Sequence, residues 1–157
     1  MRHKDFVADV GTALAVAGEY RDQMDIEITE SMLMENIDHN IEKLRAIQVM
    51  GVQIAMDDFG TGYSSLSYLA RLPINSLKID RSFISEMNQG PEQMAIVSTV
   101  VSLGKALNLK VVAEGVETAE QKNLLSLLKC DEIQGYLFSP PLPVDKIKAM
   151  LQQSLSA

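Results

Sequence analysis

Five residues able to share one reaction recur along the chain at regular intervals: Glu27, Asp57, Lys78, Glu114 and Gln134, separated by 30, 21, 36 and 20 residues. Asp58 adjoins the second of them. Carboxylates are hard oxygen donors, and four of them brought to one place repel strongly unless cations sit between them. A pair of divalent ions is the natural occupant of such a site. Two ions ~3.5 to 4 Å apart can clamp a phosphodiester and activate a water for in-line attack. Lys78 would then hold the water or the phosphate and offset charge, while Gln134 can donate or accept a hydrogen bond at the rim. One structural Ca²⁺ would use the same four acids in a different way.

The acidic pair opens the densest stretch of the chain, Met56-Asp57-Asp58-Phe59-Gly60-Thr61-Gly62-Tyr63-Ser64-Ser65. Before it, Val52, Ile54 and Met56 alternate with Gln53, Ala55 and Asp57, which predicts a short strand with one apolar face and Asp57 pointing away from it. Gly60 and Gly62 permit a sharply bent loop directly after the acids. A plain turn explains Asp-Asp before Gly equally well when the stretch is taken alone.

The elements that must carry these residues follow from periodicity. Phe6, Val7, Val10, Leu14 and Val16 space a helix up to Gly18, and Met24, Ile26 and Ile28 alternate as a strand that carries Glu27 on its second face. Ile37, Ile41, Leu44 and Ile47 space a second helix, stopped by Gly51. After the glycine loop, Leu66, Leu69 and Leu72 predict a short helix ended by Pro73, and Leu77 and Ile79 flank Lys78 in a third strand, with Asp80 on the lysine's face. Pro91 opens a longer helix through Met94, Val97, Val101 and Leu107. A fourth strand is expected over Leu109 to Glu114. Thr118 with Gln121 reads as a capping box for a helix through Leu128, and a fifth strand is expected over Glu132 to Leu137. Pro140, Pro141 and Pro143 stiffen a loop before a last helix through Ile147, Met150 and Leu151.

Strands alternating with helices predict a parallel sheet with helices outside it. Each of the five polar residues falls near the C-terminal end of a strand. In a (β/α)8 barrel those ends meet around one axis and form the rim where active sites are built. A doubly wound sheet would spread them along a line.

Bulk composition sets the remaining bounds. The 157 residues, 46% of them hydrophobic, suit one domain with a real core. A net charge of -7 offers no basic footprint for nucleic-acid polymers or an anionic membrane. Cys130 is the single cysteine, which excludes an intrachain disulfide and fits a cytoplasmic setting, with packing as its expected role. No run approaches the ~18 apolar residues of a membrane helix. His3 and His39 are isolated among polar neighbours.

The motifs together resemble the EAL-domain phosphodiesterases, which open cyclic di-GMP to linear pGpG. Glu27-Ile28-Thr29-Glu30-Ser31, Asp57 through Leu66, Leu77-Lys78-Ile79-Asp80, Ala113-Glu114-Gly115-Val116-Glu117 and Gln134-Gly135-Tyr136 match that family's motifs in order over nearly the whole chain. The glycine-loop motif is the specific one. The resemblance implies that Glu27, Asp57, Asp58 and Glu114 ligate two Mg²⁺ or Mn²⁺ ions. It further implies that Lys78 assists the attacking water, that Asp57 and Glu117 support catalysis, and that Asp58 and Gln134 meet the cyclic di-GMP. Glu30, Gly60 and Gly62 would stabilise the loop, although a helix N-terminal carboxylate facing the dipole accounts for Glu30 and Glu117 nearly as well.

The sequence also departs from the family. It contains no Glu-Ala-Leu triplet and no Asn-x-Ser, which carry a metal-ligating glutamate and asparagine, and it lacks the arginine downstream of the triplet that helps to hold the dinucleotide. Ser139-Pro140-Pro141 stands where a basic residue commonly precedes the proline. The expected architecture is therefore a partial (β/α)8 TIM-type barrel of about five βα units, strands four to eight of the family, as a single truncated domain over residues 1–157. Five strands are too few to close such a barrel, so self-association or a complementary fragment is expected to cover the open edges. The expected activity is metal-dependent hydrolysis of cyclic di-GMP, impaired in this chain alone. The alternative is an inactive module that binds cyclic di-GMP or a protein partner.

Overall fold

The computed structural model describes residues 5–60 and 66–154. Five strands form one sheet, β1 (Asp25–Thr29), β2 (Gln53–Phe59), β3 (Ser76–Ile79), β4 (Lys110–Ala113) and β5 (Glu132–Ile133), in the order β1-β2-β3-β4-β5. Every neighbouring pair is parallel. The helices are α1 (Phe6–Ala17), α2 (Glu30–Met34), α3 (Ile37–Gln48), α4 (Leu66–Leu69), α5 (Arg81–Glu86), α6 (Pro91–Ala106), α7 (Ala119–Leu127) and α8 (Val144–Ser154). Spatial order equal to chain order, with helical crossovers, makes the sheet a run of successive βα units.

The two faces of the sheet differ in chemistry. Ile28, Ile54, Met56, Leu77, Ile79 and Val111 are buried beneath the helices, against Leu33, Leu44, Ile47, Ile84, Val97 and Leu125. The opposite face lines a polar trough of about 400 Å³ with Asp25, Glu27, Gln53, Ser76, Lys78, Lys110, Glu132 and Gln134. Lys110 pairs there with Glu132 at 2.5 Å, and that hydrogen bond, more than the slight burial that opposes it, holds the lysine above its ordinary pKa.

Side chains just ahead of β3 and β5 bind the neighbouring strands. Asn75, just before β3, accepts from Ile54 N at 2.9 Å, and Asp131, just before β5, accepts from Val111 N at 2.8 Å. On the helical side the buried Asn40 donates through Nδ2 to Met32 O and Leu33 O, both at 3.0 Å, and so satisfies carbonyls at the end of α2. Asn40→Ala takes the side-chain donor from both carbonyls, of which Leu33 O is buried. It should cost about 2 kcal/mol, read as a lower urea midpoint at unchanged m-value.

The structure shortens two expected strands. β5 ends at Ile133 rather than Leu137, because after Gln134 N, which donates to Ala113 O at 2.8 Å, the backbone bonds to the loop after β4: Val116 N donates to Gln134 O at 3.0 Å and Leu137 N to Val116 O at 2.9 Å. β4 ends at Ala113, although Glu114 N still donates to Ile79 O at 3.2 Å. A 3₁₀ segment at Gly18–Gln23, α2 and α5 were not evident from periodicity, being 6, 5 and 6 residues long and too short to show a repeat. The capping box at Thr118 and Gln121 is present as expected. Residues Val144 to Gln152 of α8 are all exposed, and Ile147, Met150 and Leu151 flank an apolar groove of about 360 Å³ with Tyr136, Pro140 and Pro141. Among the described residues no helix is long and apolar enough to cross a membrane.

Candidate active site

Lys78 lines the trough and is the hub of an acidic cluster at its edge. Its position on β3, with Leu77 and Ile79 buried on either side, forces its side chain onto the polar face. Its Nζ lies 2.6 Å from Glu27 Oε1 on β1, 2.7 Å from Glu114 Oε1 after β4, and 3.5 Å from Asp57 Oδ1 on β2. Four consecutive strands thus deliver one ammonium and three carboxylates to one point. Burial opposes the lysine's charge, but hydrogen bonds to Glu114 and Glu27 and the charges of Glu114 and Asp57 outweigh it and hold its pKa above the ordinary lysine range. At neutral pH Lys78 is a fixed cation.

The acidic pair is placed by an irregularity. Ala55 and Met56 pair with Ser76 and Leu77, but the next pair is Phe59 with Ile79, so β2 has two residues where β3 has only Lys78. This is a bulge, and it sends the buried sequence from Ile54 and Met56 to Phe59. Asp57 and Asp58 are both left half-buried outside the core, where strict alternation would have placed Asp58 on the apolar side. Asp58 sits in the left-handed region at φ 54 and its N–H donates to Asp57 Oδ1 at 3.0 Å. Such a backbone is uncommon for a residue other than glycine and collects at functional sites. Burial, then the charges of Asp57 and Asp80, push the Asp58 pKa up, while Lys78 pulls it down.

Glu30 is almost wholly buried, and its Oε2 accepts from Gly60 N at 3.0 Å. It therefore ties the start of α2 to the end of β2 at Gly60, whose φ is 98. Gly62 lies outside the described residues. Gln134 stands one residue past β5, exposed, and borders both the trough and the apolar groove. Glu117 is exposed before α7 and is held through its backbone, its N–H donating to Gln121 Oε1 at 2.8 Å. The structure brings Glu27, Asp57 and Glu114 together on Lys78 and leaves Glu117 and Gln134 at the rim.

Two residues outside the expected set also shape the site. Asp80 caps α5, accepting from Ser82 N at 2.9 Å and from the Ser82 hydroxyl, and its charge bears on Asp58. Its own carboxyl is held below the usual range by those Ser82 bonds, against the opposing effect of burial. Its place after Lys78 in alternation was the one signal in the sequence. The second is Gln121, which holds the backbone of the loop bearing Glu114 and Glu117. The four acids suit divalent cations in charge and donor type. In the observed arrangement the Lys78 ammonium occupies their focus, and among the described residues no group of three or more His, Cys, Asp or Glu is spaced to hold an ion.

A sequential row of parallel strands whose C-terminal ends collect acids and a lysine on one face is a segment of a TIM-type α/β barrel with its reactive groups at the rim. The sequence matches the EAL domain over residues 1–141, and the chain belongs to that family. The bifunctional diguanylate cyclase/cyclic di-GMP phosphodiesterase MucR of Pseudomonas aeruginosa is 46% identical over 147 residues, 94% of this chain and 22% of that protein. A solved PaMucR phosphodiesterase in complex with c-di-GMP superposes with a TM-score of 0.89 at 45% identity, over 93% of this chain and 59% of that one. Klebsiella pneumoniae BlrP1, solved as a manganese/cy-diGMP complex, superposes with a TM-score of 0.80 at 38% identity, over 89% of this chain and 36% of that one. The chain thus spans under a quarter of the curated relative and part of each solved structure.

Proposed function

We propose that this chain is the catalytic portion of a metal-dependent phosphodiesterase that opens cyclic di-GMP to linear pGpG. The observation that carries the reading is the convergence of Glu27, Asp57 and Glu114 on Lys78 at the C-terminal ends of the strands. Family membership and relatives named for cyclic di-GMP support it. Glu27, Asp57, Asp58 and Glu114 would hold Mg²⁺ or Mn²⁺, which supplies phosphate polarisation and an activated water when bound. Lys78, being a fixed cation, orients the water or a phosphate oxygen and does not act as a base. Glu30 keeps Gly60, and with it the acidic pair, in place. Gln134 meets the dinucleotide at the rim, and Glu117 supports Glu114 from the same loop.

The sequence has no Glu-Ala-Leu or Asn-x-Ser segment, so turnover by this polypeptide alone is expected to be weak. β1 and β5 pair on one side only among the described residues, and pairing with a second copy or a complementary segment would cover those edges, the complementary segment alone being able to add the missing ligands. Light scattering should show an assembly larger than one chain; a monodisperse monomer that unfolds cooperatively would remove this part of the reading.

A second reading, an inactive binding module, is favoured by the Lys78 ammonium standing where the acids converge. The test that separates the two is cyclic di-GMP hydrolysis with Mg²⁺ or Mn²⁺ beside Asp57→Ala. Product above that control supports the enzyme. Binding of cyclic di-GMP without product supports the module.

A further inference from the structure

Outside the lysine cluster, Gln121 makes three side-chain hydrogen bonds. It is buried, at 6% exposure. Its Oε1 accepts from Glu117 N at 2.8 Å and from Thr118 N at 3.0 Å, while its Nε2 donates to Ile84 O at 3.0 Å, across 37 residues. The capping box accounts for the Thr118 bond alone. Ile84 O belongs to the short helix α5, whose last carbonyls have no partner within the helix and need one from outside. The other end of the same loop is also seated on α5, since Gly115 lies so close to Arg81 that a Cβ there would stand 2.5 Å from the Arg81 Cβ. α5 in turn begins directly after Asp80, three residues past Lys78.

We propose that Gln121 is a positioning residue: its amide fastens the loop that carries Glu114 and Glu117 to α5, and thereby sets the 2.7 Å contact between Glu114 and Lys78. Glu114 is fixed by its backbone bond to Ile79 O and by the Lys78 contact, so the place of its carboxylate depends on how the loop is seated. The consequence for catalysis rests on the phosphodiesterase reading; the consequence for the Glu114–Lys78 contact does not.

Gln121→Glu separates the two halves of the side chain. The carboxylate keeps both acceptor bonds and suits the first turn of α7, but it has no proton to give Ile84 O. Thr118→Ala is the control: it removes the hydroxyl cap on Gln121 N and leaves all three side-chain bonds of Gln121, the Ile84 bond among them, intact. The probes are the ¹⁵Nζ resonance of Lys78 and amide hydrogen exchange over residues 114–118, with cyclic di-GMP hydrolysis measured in parallel. Gln121→Glu should shift the Lys78 resonance, speed exchange of the Glu114 to Val116 amides about tenfold, and lower kcat at least fivefold with little change in KM. Thr118→Ala should lower the melting temperature yet leave the Lys78 resonance and kcat unaltered. An unshifted Lys78 resonance in a cooperatively folded Gln121→Glu, or an equal shift in Thr118→Ala, overturns the proposal. Absence of product from the unsubstituted chain rejects the phosphodiesterase reading alone, because the resonance and exchange measurements still decide the role of Gln121.

Discussion

On the phosphodiesterase reading, Lys78→Met is expected to lower cyclic di-GMP hydrolysis by about a thousandfold through loss of a preorganised cation, and independently of that reading to destabilise the fold by about 2 kcal/mol at pH 7. The methionine keeps most of the volume on β3 but leaves Glu27, Asp57 and Glu114 facing one another without a counter-charge. The figure lies below that for a fully buried pair because Glu27 is half exposed and its share is screened by water. The pH dependence has a definite sign. A lysine whose folded pKa is raised contributes stability that is fully present below its unfolded value of about 10.4 and is lost as pH rises through the folded value. The stability gap between the unsubstituted chain and the Lys78→Met variant should therefore be constant from about pH 6 to about 9.5 and narrow only in strong alkali. Urea unfolding at pH 7 and at high pH checks the sign, and a gap that grows with alkali contradicts it.

Gly135→Ala should be nearly as severe by a wholly different route. A Cβ at that position would lie 2.2 Å from Val116 O and 2.3 Å from Val116 N. Both are backbone atoms already bonded to the neighbouring loop, Val116 N to Gln134 O and Leu137 N to Val116 O. Relief therefore requires the two loops to part, at a cost of about 3 kcal/mol. Parting them moves Gln134 and the Glu114 loop together. The expected result is a lower melting temperature, rapid amide exchange at Val116 and Leu137 and, on the phosphodiesterase reading, about a hundredfold loss of hydrolysis. Near-normal exchange at those two amides in the variant would mean that the loops accommodate the methyl group.

The alternation around Lys78 and around Glu27 was enough to put both on the polar face, because a strand has a period of two and their strand neighbours turn toward the helices. The C-terminal ends of parallel strands then had to coincide, and the order of the five units was legible for the same reason. Glu30 was expected to tether the loop, and its carboxylate reaches Gly60. The end of β5 was not legible. Glu132 to Leu137 has the composition of a strand, but its backbone partners belong to a loop whose course the local sequence does not encode. Gln121 announced its cap through the spacing from Thr118; its third bond, to Ile84, depends on how α5 packs and left no mark in the pattern. The adjacency of Asp57 and Asp58 carried no hint that a bulge would be required to keep both acids out of the core.

That extra residue in β2 has a consequence for how the site tolerates change. Facing along a strand is a matter of parity, and one surplus residue reverses it for everything downstream. Removal of Asp58 would let Ile54, Met56 and Phe59 fall into even step, giving a flatter and more regular strand with a single acid at its end. Substitutions within the acidic pair change a ligand, whereas a one-residue deletion removes the bulge and one of the two acids together, with Phe59 keeping its place on the buried face. Length at this point is therefore under tighter constraint than identity, and drift toward a more stable sheet is also drift away from a paired-carboxylate site.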